Sequence, residues 1–219
     1  MYYRQGLLNK LNRKFGKYAV KNLMLILVGA MVIVWIMDVM FMASRGISLR
    51  YVLSFDRAAI LSGEVWRVFT FLFLPPASGS LTVIIAFYFY YFIGQTLEER
   101  WGALGFNAYY LIGVIGAIAS GFISGYATNT YLNLTLFLAY ALLFPKHELR
   151  LFFLIPIEAR WIAVADAILL LYMFILGTWP MRLALLVALV NLFIFFTPHL
   201  IDFFKSIYRR YKWNQKFKK

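Results

Sequence analysis

The sequence predicts an all-α integral membrane protein, a bundle of six transmembrane helices whose first external loop is itself membrane-associated. Two observations carry this. Hydrophobic residues make up 63% of the 219 residues and charged residues only 14%. A soluble domain is nearer half apolar and a quarter charged, so this chain has too little polar surface to coat itself against water. The apolar residues are also gathered into six runs that reach, or nearly reach, the length needed to cross a bilayer.

Residues 1–21 come first. Leu8, Leu11, Phe15 and Tyr18 recur at helical spacing among lysines and arginines, so residues 3–19 predict a basic amphipathic helix lying in the membrane interface. Spans follow at about 22–43, 81–97, 106–125, 130–145, 160–177 and 181–203, making one domain over 22–203. The runs at 81–97 and 130–145 are short, and with full spans around them they read as central helices. Residues 204–219 form a basic, aromatic tail. Cations interleaved with aromatics also suit single-stranded nucleic acid, but beside a bilayer the expected partner is anionic lipid, with no nucleic acid.

Charge orients the spans. The two terminal segments share a side, and with Arg100, Lys146, Arg150 and Arg160 they hold seventeen of the basic residues. The other side holds five: Arg45, Arg50, Arg57, Arg67 and Arg182. Basic excess marks the cytoplasmic face, so a multi-pass protein of the cell membrane with both termini cytoplasmic is expected. The first apolar run is too long for a cleaved signal peptide and lacks a small-residue cleavage site. The net charge of +13 then has a plain source in span-flanking residues that attract anionic lipid.

The absence of cysteine excludes disulfides, thiolate catalysis and thiolate metal sites. Two histidines and nine carboxylates leave little for any other metal, and neither metal nor cofactor is expected. The longest piece between spans, 44–80, contains FTFLFLPP, too apolar for water and too short to span. Non-helical backbone at such depth must be supported by protein or a wet cavity, with Gly63, Pro75, Pro76, Gly79 and Ser80 supplying turns.

The order of features resembles the rhomboid superfamily, which holds intramembrane serine proteases and non-proteolytic relatives such as derlins. The resemblance rests on Trp66-Arg67 within GEVWRVFTFLFLP of the first external loop, and on Gly94 followed by LEERWG at 97–102. That second motif contributes Glu98, Arg100 and Gly102. A glycine-rich third span, a short fourth span and the turn LFPKHELRLFFLIP complete it over roughly 20–200. The resemblance implies a rhomboid-like bundle in which Trp66, Arg67, Gly94, Glu98, Arg100 and Gly102 are structural signature positions.

The chemistry implied by the resemblance is degenerate. The family places a Gly-x-Ser-Gly nucleophile at the start of the fourth span, a position that falls here at Thr130 or Tyr131. Serine supplies an unhindered alkoxide once a base takes its proton, and glycine lets the helices approach for that contact. The sixth span offers Asn191, which takes no proton at neutral pH. His199 lies about 15 Å too deep at 1.5 Å per residue, and His147 falls in a cytoplasmic loop. Thr82 and Ala86 occupy the oxyanion-hole positions.

Other polar residues have plain readings. Ser120 and Ser124 read as small packing residues, and Asn129 with Thr130 as an N-cap. Glu98, Glu99 and Arg100 read as an ion-pair and cap network. The Trp66-Arg67 pair reads as an interface anchor, bonding carbonyls or phosphates, and equally as part of a loop that admits client helices. Asp38 reads as the partner of Arg45. Asp166 is either a structural hydrogen-bonding group or a functional one. The expected function is a catalytically inactive rhomboid-like membrane protein, a pseudoprotease that binds transmembrane helices of client proteins as adaptor, chaperone or quality-control factor. An active intramembrane serine endopeptidase is the alternative. A small proton-linked transporter using Asp38 and Asp166 is a third, weaker one, because internal repeats and broken helices in matching halves are missing.

Overall fold

A computed structural model of the chain describes residues 16–76, 80–151 and 155–196. Four helices are long and apolar enough to cross a membrane, over Gly16–Arg45, Leu81–Ser124, Ala159–Leu176 and Trp179–Phe196, and a shorter apolar helix covers Thr130–Leu143. This is a helical, membrane-embedded protein. Side chains such as Ile33, Met40, Ile115, Ile168 and Leu171 lie on its outer surface, where lipid rather than water is their solvent.

Helix α1 is Leu23–Arg45, about 34 Å at 1.5 Å per residue. It ends at Gly46, whose φ of 68° places it in the left-handed region while its N–H closes on the Met42 carbonyl; only glycine takes that cap without strain. The segment expected to be non-helical between α1 and the next long helix is instead a chain of single helical turns. These are α2 (Arg50–Leu53), α3 (Arg57–Leu61) and α4 (Arg67–Thr70), followed by a 3-10 turn over Phe71–Phe73. Each turn satisfies only some of its own backbone groups, so the rest need partners from elsewhere in the protein. Gly63 turns the chain at φ 115°. Ser80 is no turn residue but the first residue of the next helix, and Gly79 is outside the described residues.

Helix α5 runs Ser80–Ser124 and breaks at Gly102 (φ 77°, ψ 158°). Its limbs, 80–101 and 103–124, fold back on each other. The first limb ends beside the start of α1, where the Glu98 carboxylate accepts from the N–H groups of Asn22 and Leu23. The second limb ends at the opposite side, where Arg57 donates to the carbonyls of Phe122 and Ile123. Met24 on α1 fills the space a side chain at Gly94 would take, so the glycine sets the close approach of α1 and the first limb. Trp35 and Phe87 meet edge to face further along the same contact.

Helix α6 is Thr130–Leu143. A short antiparallel hairpin follows, β1 (Glu148–Leu151) with β2 (Ile155–Glu158), Glu148 opposite Glu158. The stretch that the sequence reads as a simple turn is thus a small hairpin in an otherwise helical protein. Helix α7 (Ala159–Leu176) starts beside the end of α6, since Arg160 N–H donates to the Pro145 carbonyl. Helix α8 (Trp179–Phe196) returns to place Phe196 against Trp101. Among the described residues, α1, the two limbs of α5, α6, α7 and α8 thus alternate between two ends. One end gathers 46–76, 124–130 and 177–178, the other the start of α1, Gly102 and the hairpin. Residues 3–15 of the expected interfacial helix, the end of the sixth apolar run with His199, and the 204–219 tail lie outside the described residues.

The core joins Met24 and Met31 of α1, Phe106 and Tyr109 of the second limb, and Ala139 and Tyr140 of α6. A smaller cluster packs Tyr131 with Leu170 of α7 and Ala184, Leu185 and Ala188 of α8.

Candidate functional site

The signature pair of the first loop sits in a knot of side chain to backbone bonds. Arg67 is only 8% exposed. Its Nη1 donates to the carbonyls of Tyr51 (2.7 Å) and Ser54 (3.1 Å), and its Nε meets Glu64 Oε2 at 2.6 Å. Trp66 Nε1 donates to the Val52 carbonyl at 3.3 Å while its ring stays 46% exposed. Thr70 donates to the Leu53 carbonyl. Four successive carbonyls, from Tyr51 to Ser54, are therefore held by residues 66–70. The α2 turn is too short to satisfy them itself. A guanidinium suits the task, since it offers several donors in a fixed fork.

Asp38 is paired differently from the sequence reading. Its Oδ1 accepts from Ser48 Oγ (2.8 Å) and Leu49 N–H (2.7 Å), and its ion pair is with Arg50 at 3.9 Å. Arg45 lies over the Phe41 ring instead. The reason is the Gly46 cap: it turns the chain so that 48–50, not 45, come back over the last turns of α1. Arg50 also donates to the carbonyls of Pro75 and Pro76, which fastens the end of the loop.

The positions that the resemblance makes degenerate catalytic ones are occupied as follows. Thr130 N–H and hydroxyl are both engaged by the Thr128 hydroxyl, so Thr128 does the capping work that the sequence assigned to Asn129. Asn129 instead donates through Nδ2 to the carbonyls of Leu72 and Leu74, tying α6 to the loop. Tyr131 is buried among aliphatic side chains of α7 and α8. Asn191 donates to the Tyr109 carbonyl at 3.2 Å. Thr82 is exposed and Ala86 half-buried. His147 bonds the Tyr140 hydroxyl at the hairpin end, across the bundle from Thr130, in an open pocket of about 470 Å³ with Thr96, Leu143 and Lys146. The arrangement brings no base to Thr130 or Tyr131 among the described residues.

The glycine-rich third span packs closely. A Cβ on Gly113 would meet Leu132 and stand 2.9 Å from Asn191 Nδ2, and one on Gly121 would stand 2.7 Å from Phe55. Ser120 and Ser124 donate to carbonyls of their own helix. Glu98 caps α1 rather than its own helix, and among the described residues Glu99 and Arg100 form no salt bridge. Gly102 supplies the break.

The residues that sequence reasoning missed lie mid-bundle. Asn133 of α6 and Tyr110 of the second limb are buried, as is Asp166 of α7, and each leaves an oxygen without a partner. Asn133 was detectable, since an amide inside the apolar run TYLNLTLFLAY has to face protein. Among the described residues no group of three histidine, cysteine or carboxylate side chains could hold a metal ion. Compared with protein-family models, curated proteins and solved structures, the chain matches none of them.

Proposed function

We propose that this chain is a catalytically inactive rhomboid-like membrane protein that crosses the cell membrane six times with both termini cytoplasmic. Its task is to bind transmembrane helices of other proteins, as an adaptor, chaperone or quality-control factor. The observation that carries the reading is the state of the fourth-span start. Thr130 is spent on Thr128, and Tyr131 fills the gap between α7 and α8, so among the described residues no hydroxyl there faces a base. The first-loop knot around Arg67, the Gly94 contact and the Gly102 break support a retained scaffold beside that lost chemistry.

Binding of a client helix in lipid draws on packing and on hydrogen bonds between helices rather than on the hydrophobic effect. The chain offers both on α7, whose outward face is apolar and whose buried face carries Asp166. The test is purified protein in liposomes mixed with single-span peptides and probed by photo-crosslinking. Crosslinks to the protein with every peptide left intact are expected. Absence of crosslinks across the peptide series would end the client-binding reading.

A further inference from the structure

The open pocket at the hairpin end has apolar walls and a basic mouth. Leu143, Phe144 and Pro145 line it from the end of α6, and Thr96 lines it from the first limb of α5. Thr96 spends its hydroxyl on the Phe92 carbonyl of its own helix, so it offers an occupant no hydrogen. The other lining residues are Lys146 and His147, both exposed. Among the described residues Lys146 enters no salt bridge, which leaves its charge to whatever fills the mouth.

His147 is held in place. Its ring stacks on Phe92, with centroids 6.1 Å apart and planes 23° from parallel. Its Nδ1 is bonded to the hydroxyl of Tyr140, a residue with no exposed surface. When that hydroxyl donates to Nδ1, the ring hydrogen sits on Nε2, the nitrogen left to meet an occupant. An anion at the mouth favours this form, because it accepts from Nε2 and from the lysine together.

Depth decides the class of anion. Thr96 lies about 9 Å before the break at Gly102, at 1.5 Å per residue, whereas Lys146 and His147 come just after the last turn of α6. The pocket therefore runs from the edge of the bundle into the part that lipid surrounds. A soluble anion has no use for the apolar wall, and an uncharged chain has none for the lysine. Glu148, the next residue, is exposed as well and carries the opposing charge, so a headgroup with one negative charge suits the mouth better than a polyphosphate.

We propose that this pocket holds an anionic phospholipid, with its phosphate at Lys146 and His147 and the start of one acyl chain against Leu143, Phe144 and Thr96. The excess of basic residues on this side of the chain is the mark of the leaflet where anionic lipid gathers. General attraction would spread such lipid over every basic residue; the pocket gives it one address. The site stands apart from client binding and does not depend on it.

The test uses the full chain in detergent, offered phosphatidylglycerol or phosphatidylcholine with identical acyl chains, and reads the affinity for the first bound lipid by native mass spectrometry. The parent should prefer phosphatidylglycerol about tenfold. Lys146→Gln should cut that preference about fivefold, the share of one basic residue near a membrane surface. His147→Phe keeps a ring against Phe92 but removes the donor, and should cut it about twofold. Lys17→Gln makes the same change at an exposed lysine outside the pocket and should leave the parent's preference. Thermal unfolding checks each variant; should His147→Phe fail to fold, Lys146→Gln against Lys17→Gln decides. Equal losses in those two variants would overturn the site in favour of general attraction, as would a parent without preference. Glycerol phosphate, a headgroup without chains, should not displace the lipid. Displacement by it would assign the pocket to a soluble anion and overturn the proposal.

Discussion

Arg67 Nη1 donates to the Tyr51 carbonyl at 2.7 Å, across sixteen positions of sequence, and with the Ser54 carbonyl and Glu64 it holds the first loop in one conformation. Arg67→Ala leaves two part-buried carbonyls without their charged donor. It should lower unfolding free energy in detergent by about 2–4 kcal/mol. Arg67→Lys keeps the charge but not the fork, so it should recover only part of the loss. Thermal unfolding of the purified variants measures this. A parent-like midpoint for Arg67→Ala, with client binding alone lost, would make the pair functional rather than structural.

The Glu98 carboxylate sits at the other end of the bundle and caps a helix that is not its own. It accepts from Asn22 and Leu23, two of the amide groups that α1 cannot satisfy internally. Glu98→Ala should cost about 1 kcal/mol, and Glu98→Gln, which keeps an acceptor, less. Amide hydrogen exchange at the start of α1 should quicken in the alanine variant and stay slow around Arg67. Unchanged exchange at 22–26 would show that the contact carries no stability.

Gly113 faces Leu132 and Asn191, whereas Gly29 has nothing within 4 Å of its would-be Cβ. Both are helical, so alanine gains the same helix propensity at each. Gly113→Ala should therefore destabilise by about 1–3 kcal/mol through overpacking, and Gly29→Ala should be neutral or stabilising by roughly 0.5–1 kcal/mol. Gly113→Ala combined with Leu132→Ala should recover much of the loss if the clash is with Leu132. Equal effects at Gly29 and Gly113 would refute the packing role.

The apolar runs located the long helices closely. The run at 22–43 became Leu23–Arg45 and the run at 160–177 became Ala159–Leu176. The gap expected between 97 and 106 proved to be one residue, Gly102. Charged LEER continues the helix because its side chains reach the interface, and a left-handed glycine suffices to reverse it. Long-range polar partners were not legible. Asn129 reads locally as a cap, yet its amide serves Leu72 and Leu74, carbonyls that only the folded loop brings near.

The alternation of six segments makes topology testable, and the absence of cysteine gives a clean background. Ser62, Lys17 and Lys146 are exposed, so single cysteines there should fold; Asn129 is unsuitable because its amide is buried and bonded. An impermeant maleimide added to intact cells should label Ser62→Cys and spare Lys17→Cys and Lys146→Cys until the membrane is opened. Labelling of Lys146→Cys from outside would refute the six-span orientation drawn from the seventeen-to-five asymmetry of basic residues.

The last prediction concerns chemistry. Serine-type hydrolysis needs a nucleophile, a base within about 3 Å of it and donors aimed at the oxyanion. Thr130 is committed to Thr128, Tyr131 is enclosed by Leu170, Ala184 and Leu185, and Asn191 donates to a backbone carbonyl. Ser120 and Ser124 each spend their hydroxyl on a carbonyl. Loss of a triad alone leaves some rate when the oxyanion hole survives. Of the two positions that the rhomboid resemblance assigns to its donors, Ala86 offers only a methyl, which donates nothing, and Thr82 is exposed. Protein in liposomes with rhomboid substrates should give no product above background, and a fluorophosphonate probe should leave it unlabelled. Restoring serine alone, as Thr130→Ser or Tyr131→Ser, should not create activity, because no base is supplied with it. Cleavage by the parent that disappears in Ser120→Ala, Ser124→Ala or Thr130→Ala would overturn the inactive reading and make the chain a protease.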